Sequence, residues 1–334
     1  MRDPVSGFDY PEVWIQKCPS PDLLRLVEEG LAVLTSSGTV LRRGYTTGTT
    51  AAAACKAAIL SLYGEVTAVR VRIPCGLIVS VPVAVTEGKA SCRKFGGDYP
   101  GDVTAGCEFV AEALPRKQGI CFLPGTGIGR YSRDTPRFRK GNPAITPAPL
   151  ACILTSIEEA TGQMGLSGVQ VRLRIPRGSV IAKKTLNPRV GVTGGISILG
   201  TTGLVEPWDD HLGESFRERL AGTHRAVLAT GRIGLRFARL MYPDREIVLV
   251  GNRIHEALKA ANGEVILFGL PGLILRFMDQ NILEGTGYDT IEEFAETPGF
   301  FPVMKSTLAE FVREWPGVRV VLVNRDGTII GESP

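Results

Sequence analysis

Three stretches of the chain gather residues able to do chemistry. The first, Leu41-Arg42-Arg43-Gly44-Tyr45-Thr46-Thr47-Gly48-Thr49-Thr50-Ala51, is a Gly/Thr turn running into an alanine-rich segment. The amides and positive dipole end at a helix start favour an anionic group, and Gly48 would let a ligand approach the backbone. The same residues also serve as plain helix caps, through Thr47 or Thr49. The second stretch, 182–207, holds five glycines and four threonines. It contains neither G-K-[S/T] nor G-x-G-x-x-G, although Gly200-Thr201-Thr202-Gly203 could shape a ligand-binding turn. A hinge between domains accounts for it equally well. The third, Gly125-Thr126-Gly127-Ile128-Gly129-Arg130, leads into Arg133, Arg137, Arg139 and Lys140. Guanidinium groups there could hold carboxylates through paired hydrogen bonds, with a solvated basic loop as the alternative. Asp98 and Asp102, in the turn 97–104, offer carboxylates for acid or base work or for ordinary turn chemistry.

The rest of the composition narrows the chemistry. Only three histidines occur, His211, His224 and His255, none paired at metal-ligand spacing, and there is no G-x-S-x-G elbow. A histidine-based metal centre and Ser–His–Asp catalysis are disfavoured, and no protein metal site is expected. The seven cysteines are odd in number, lie in the first half and form no C-x-x-C pair. That argues against a disulfide framework or zinc knuckle and for a reducing, cytoplasmic setting. A net charge of +4 is small for a dedicated nucleic-acid binder and suits an anionic small molecule. Residues 1–10 lack the apolar core of a signal peptide, and the most apolar stretches, 51–63 and 265–277, are short and broken by Lys56 or by Gly269, Pro271 and Gly272. Export and membrane spanning are therefore not expected. Glycine is in excess, 40 of 334 residues, about 12% against a typical 7%, with no collagen period.

The elements that must position these residues follow from periodicity. Segment 49–62, with Thr46 and Thr47 as caps and Gly64 as a stop, predicts a buried helix. Alternation over 66–85 about a break at 74–76 predicts an antiparallel hairpin, while 120–123 and 169–175 read as strands and 151–161 as a helix. Their irregular succession argues for an α+β domain. After about residue 203 the pattern changes. Runs 225–230, 246–250, 264–268 and 318–323 are continuously apolar, as strands buried on both faces are. Between them 210–221, 233–241, 254–261, 273–280 and 306–315 carry helical spacing, which implies a doubly wound, mostly parallel sheet with right-handed crossovers. The expectation is an α+β domain over 1–203, carrying the Gly/Thr loops, and an α/β domain over 204–334. The glycine loops at 44–48, 125–129 and 191–203 are expected to converge on a cleft between them.

Two of these stretches, 41–51 and 182–207, resemble the signature segments of the CbiD family, the cobalt-precorrin-5B C1-methyltransferases of anaerobic cobalamin biosynthesis. The resemblance runs from about Glu12 to the last parallel strand, through Pro11-Glu12-Val13-Trp14-Ile15 and Arg93-Lys94-Phe95-Gly96-Gly97-Asp98, and weakens toward the C-terminus. It implies methyl transfer from S-adenosylmethionine to C1 of a ring-contracted tetrapyrrole, giving cobalt-precorrin-6A, with cobalt present only as part of the substrate. It also implies an α+β domain like a permuted ribosomal-protein S5 domain 2, followed by a Rossmann-like α/β domain. Two departures stand out. Thr50 occupies a position where many relatives carry Cys, so a thiol there is not essential to a shared mechanism. Gly251-Asn252-Arg253-Ile254-His255, with no later histidine, replaces a Gly-His turn and a His-rich helix, which puts a catalytic C-terminal histidine in doubt.

On this resemblance the donor is expected against Gly194, Gly195, Ser197, Gly200, Thr201, Thr202 and Gly203, with Glu206 on its ribose or amine. The substrate's peripheral carboxylates are expected at Arg42, Arg43, Thr46, Gly48, Thr49, Arg130, Lys183, Lys184 and the 130–140 loop. Asp102 and Thr47 are the polar candidates near the reacting carbon. Two other readings stay open: a nucleotide-dependent phosphotransferase, and a non-catalytic carrier of an anionic corrinoid. A homo-oligomer is left open, and neither nucleic acid nor a membrane is expected as partner.

Overall fold

The computed structural model describes residues 1–134, 138–208 and 216–334. They fall into two compact units, one drawn from Met1–Leu41 with Asp209–Pro334 and one from Arg42–Trp208. Among the described residues, no helix is long and apolar enough to cross a membrane.

The Arg42–Trp208 unit is built on one helix, Thr47–Leu60. Its run of small residues buries nearly every side chain: Ala51 to Ala54, Cys55, Ala57, Ala58 and Ile59 are fully inside. A helix that is apolar all round belongs in a core. Thr46 caps it, its Oγ1 accepting from the Thr49 amide at 3.2 Å. The helix packs against Pro147–Gln163, where the buried Lys56 donates through Nζ to Glu159 Oε2 at 2.5 Å. It also packs on a five-stranded sheet ordered Ala84–Thr86, Lys89–Arg93, Glu108–Pro115, Gly168–Arg174, Gly119–Pro124. Gly168–Arg174 runs antiparallel to Glu108–Pro115 and parallel to Gly119–Pro124.

The expected hairpin is present as Ala68–Arg72 against Ile78–Pro82, turning at Gly76 with φ 91°. The strands near 120 and 169 and the helix near 151 are present as well. Lys89–Arg93 and most of Glu108–Pro115 escaped the sequence reading because their inward positions are mainly Ala and Cys: Ala90, Cys92, Ala111 and Ala113, with Phe109. Such residues give little apolar contrast.

The other unit holds a sheet ordered Glu246–Leu249, Arg225–Ala229, Glu264–Gly269, Val318–Val323, Ile329–Glu332. The first four strands are parallel and the last is antiparallel. Helices Arg232–Met241, Ile254–Ala260, Pro271–Met278 and Phe300–Glu314 lie between the strands in sequence. The helix expected over 210–221 lies partly outside the described residues, and its described part is Phe216–Ala221. A single cut near residue 203 misplaces the first 41 residues. Phe8 packs on Phe237 with ring centroids 5.2 Å apart. Ser36 donates through its amide to Leu240 O and through its hydroxyl to Met241 O, both at 2.8 Å. These bonds satisfy late carbonyls of the Arg232–Met241 helix, so the N-terminal segment belongs with this sheet.

Candidate functional site

The three glycine loops meet inside the Arg42–Trp208 unit. Gly127–Ile128 pairs in parallel with Gly195–Ile196. Arg130–Tyr131 pairs antiparallel with Val192–Thr193, and Gly44–Tyr45 with Leu204–Val205. Glycine is required here by close approach. A Cβ on Gly178 or Gly195 would overlap the Gly127 carbonyl, and one on Gly127 would overlap that of Ile175. Only with no side chain at these positions can the backbones touch.

The start of the Thr47–Leu60 helix grips the second glycine loop. The amides of Thr46 and Gly48 donate to the carbonyls of Gly203 and Leu199, at 3.1 and 3.2 Å. Thr49 Oγ1 donates to Gly203 O at 2.6 Å. Thr47 Oγ1 accepts from the Leu199 amide at 2.9 Å and lies 3.2 Å from Ser197 O. A Cβ on Gly200 would overlap the Thr46 side chain, and one on Gly203 that of Ile73. Thr46, Thr47, Gly48 and Thr49 therefore bind their own chain. At this helix start the amides of Thr46, Gly48 and Thr49 are already used by the chain itself, which competes with the reading of it as an anion seat. The donor's expected cradle on 194–203 weakens for the same reason: Gly195, Gly200 and Gly203 make room for protein atoms. Gly194, with φ 78° and open space around it, and the exposed Thr201 remain at the surface. Thr202 is tied in through its carbonyl, which accepts from the Cys75 amide.

Asn187 is a residue the sequence reading passed over. It is buried, donates through Nδ2 to Gly195 O at 3.3 Å and accepts from Ser197 Oγ at 3.0 Å. Its only signal was an Asn-Pro step inside the glycine-rich stretch.

Several expected ligand contacts have protein partners. Arg43, with no side-chain exposure, bonds through Nε to Glu206 Oε2 at 3.2 Å. These two residues, assigned above to different ligands, hold each other. Arg42 pairs with Asp98 at 3.2 Å, and its guanidinium lies 5.5 Å from the Phe95 ring centroid. Asp102 forms a buried ion pair with Lys94 and accepts from Thr104 through the amide at 3.0 Å and the hydroxyl at 2.5 Å. Burial alone would raise the Asp102 carboxyl, but Lys94 and Thr104 outweigh it and hold it below the usual carboxylate range. A carboxylate held this way is a weak base at neutral pH. Burial also pushes the thiols up, Cys92 to about 12 and Cys107 and Cys152 to about 11, so none of these is a ready nucleophile.

What stays open is a basic and apolar surface. From residue 160 to 205 the chain contains no Asp or Glu, while Arg177, Lys183, Lys184 and Arg189 are exposed. Val180, Leu186 and Val190 stand among them, 54%, 43% and 55% exposed. Consecutive turns join these residues, Val180 N donating to Arg177 O, Lys184 N to Ile181 O and Val190 N to Leu186 O. Arg130, exposed, donates to Gly141 O at 2.8 Å, and a Cβ on Gly191 would lie 3.1 Å from Arg133 Nε. Arg137 lies outside the described residues. Such a surface suits a ligand with a broad apolar face and carboxylates at its edge.

The family model for CbiD matches residues 34–207, which takes in the glycine loops and the helix that grips them. The chain is similar to the cobalt-precorrin-5B C(1)-methyltransferase of Methanoregula boonei, 59% identical over 334 residues and 100% of both chains. The enzyme of the same name from Methanoculleus marisnigri is 57% identical, again over 100% of both. A crystal structure of the cobalamin biosynthesis protein cbiD from Archaeoglobus fulgidus is similar at a TM-score of 0.57 and 41% identity, covering 83% of this chain and 92% of that one. With its signature segments matched and its relatives aligned end to end, the chain belongs to the CbiD family.

Proposed function

We propose that the chain transfers a methyl group to C1 of cobalt-precorrin-5B, giving cobalt-precorrin-6A in the building of cobalamin. The observation that carries this is 59% identity, over the whole of both chains, to the Methanoregula boonei enzyme of that name. The donor is S-adenosylmethionine, whose sulfonium supplies an electrophilic methyl and departs as a neutral thioether. That chemistry needs no acid for the leaving group. What it asks of the protein is alignment of the reacting atoms at about 3 to 3.5 Å.

The acceptor is an anionic tetrapyrrole that brings its own cobalt. Lys183, Lys184, Arg189 and Arg130 meet its carboxylates, while Val180, Leu186 and Val190 lie under its apolar face. Thr46, Thr47, Gly48 and Thr49 act behind this surface by fixing the backbone of 197–203. Arg43–Glu206 and Lys94–Asp102 stiffen the same unit. Asp102 is then a positioning residue whose held carboxylate keeps Lys94 in place.

For the fold, we take the Arg42–Trp208 unit as an α+β domain like a permuted ribosomal-protein S5 domain 2, and the sheet of four parallel strands as Rossmann-like. The seven free cysteines support a reducing cytoplasm. Nucleic acid and membrane have no part in this reading. The test is incubation of the purified protein with methyl-labelled S-adenosylmethionine and cobalt-precorrin-5B. Label in the corrinoid is expected. Corrinoid binding without label would make the protein a carrier, and neither would overturn the reading altogether.

A further inference from the structure

We infer that Asn187 is a positioning residue for the methyl transfer: it sets the basic turns that take the corrinoid in register with the fixed backbone of 195–197. The inference rests on the function proposed above and adds to it a buried residue that acts through the turns rather than on the ligand.

The turns hold their own shape without it. Ile181 N donates to Arg177 O at 3.0 Å and Arg189 N to Leu186 O at 3.0 Å. Thr185 donates to Ala182 O twice, through its amide at 3.1 Å and its hydroxyl at 2.8 Å. Bonds of this kind stay inside the segment, so they leave open where the segment sits. Among the described residues, the hydrogen bonds that carry 183–190 past Gly191 all belong to Asn187. Its carbonyl accepts from the Val192 amide at 2.8 Å. Its side chain donates through Nδ2 to Gly195 O at 3.3 Å and accepts through Oδ1 from Ser197 Oγ at 3.0 Å. Its amide donates to Thr185 Oγ1 at 3.1 Å, which ties the anchor back into the turns.

The anchor's partners are held from other sides. Gly195–Ile196 pairs with Gly127–Ile128, and Ile196 O accepts from the Gly129 amide at 2.8 Å. Ile198 bridges to Ile145, and Ser197 O accepts from Thr47 Oγ1 at 3.2 Å, at the start of the buried helix. The turns thus take their place from a rigid frame through one side chain, 7% exposed. An amide suits the task. The Gly195 carbonyl can only accept, so the group facing it must donate, while its other corner accepts from Ser197.

The consequence for catalysis differs from that of the surface charges. Lys183, Lys184 and Arg189 are exposed, and their long side chains can still reach carboxylates after a small shift of the turns. The reacting carbon would not keep its alignment, and a displacement of about 1 Å can cost about a hundredfold in rate. Asn187 therefore acts on kcat, where the lysines act on KM.

The test is steady-state kinetics of the full chain with labelled S-adenosylmethionine and cobalt-precorrin-5B, run well below each variant's measured melting temperature. Asn187→Ala removes both side-chain bonds. Asn187→Asp keeps the shape and the acceptor for Ser197 but faces Gly195 O with an oxygen that has no proton to give. Ser197→Ala removes one bond and leaves the other. We expect kcat to fall about tenfold or more in both Asn187 variants, with KM for cobalt-precorrin-5B within about threefold of wild type. Ser197→Ala should show a smaller fall in kcat, about two- to fivefold, again at steady KM. Wild-type kcat in Asn187→Ala, however far its melting temperature drops, makes Asn187 a purely structural residue and overturns the inference. A raised KM at constant kcat overturns it too. If the Asn187 variants do not fold, Ser197→Ala decides, and an unchanged kcat there is equally fatal. Label transfer by the wild type with unchanged kcat in the variants removes only the role of Asn187, whereas a wild type that transfers no label removes the proposed function and this inference with it.

Discussion

The hydroxyl of Thr49 donates a 2.6 Å hydrogen bond to the carbonyl of Gly203, across 154 positions of sequence. Both residues are buried, and the carbonyl also accepts from the Thr46 amide. The bond gives the threonine in the first turn of this alanine-rich helix a role: together with the Thr46 and Gly48 amides and the Thr47 hydroxyl, it anchors the loop 197–203. Thr49→Val keeps the shape and deletes the bond, at a cost of about 1 to 3 kcal/mol. A drop of several degrees in melting temperature is expected, with Thr49→Ser close to wild type. Equal melting of Val and wild type would show that the bond does not hold the loop.

Lys94 and Asp102 form a buried pair, 3% and 9% exposed at their side chains. Removing one partner leaves a buried charge uncompensated, so Lys94→Met should cost about 3 to 5 kcal/mol. The double variant Lys94→Met with Asp102→Asn should cost less than Lys94→Met alone. A pH effect accompanies this. The Asp102 carboxyl is held below its ordinary range, so its folded-state pKa lies below the unfolded value of about 3.9. Its contribution is complete above that value and is lost as pH falls through the folded one. Denaturant titrations at pH 7 and pH 3 should therefore show the wild type's advantage over Asp102→Asn shrinking at the lower pH. An advantage that grows would reverse the assigned direction.

Local spacing made much of the fold legible. The alanine-rich Thr47–Leu60 helix and the apolar strands Arg225–Ala229, Glu246–Leu249, Glu264–Gly269 and Val318–Val323 each declare themselves within a short window. The place of the first 41 residues does not, because it depends on Phe8 meeting Phe237 and Ser36 meeting Leu240. The glycine loops are legible in the sequence, but the close approaches they make are not. A glycine that admits a ligand and one that admits other protein atoms look the same in sequence, and only the neighbours of Gly127, Gly195 and Gly200 show the close approaches. Arg43 and Glu206 were separated for a similar reason, since ion pairing over 163 positions leaves no local trace.

Exposed charge on the 177–190 turns should act on substrate affinity rather than on the chemical step. Lys183→Ala and Lys184→Ala remove side chains with ample solvent exposure, so folding should be little changed. Each should raise KM for cobalt-precorrin-5B a few-fold, roughly fivefold at most for a single exposed pair, with kcat nearly constant, the pattern of lost uniform binding. Because salt screens such pairs, the difference from wild type should narrow as ionic strength rises. A fall in kcat at constant KM would move these lysines from substrate binding to the reacting centre.

Two glycine-to-alanine changes should have opposite signs. A Cβ on Gly178 would overlap the Gly127 carbonyl, and this is backbone that cannot swing aside. Gly178→Ala must therefore push the Gly178–Ala182 helix away from the Gly127–Ile128 strand, and overpacking of this kind costs about 1 to 3 kcal/mol. Gly162 lies in the Pro147–Gln163 helix, exposed, with nothing within 4 Å of an added Cβ. Alanine there loses less backbone freedom on folding and should stabilise by about 0.5 to 1 kcal/mol. Melting temperatures of the two variants should bracket the wild type. If Gly178→Ala melts at or above it, the contact between the glycine loops is looser than these backbone positions require.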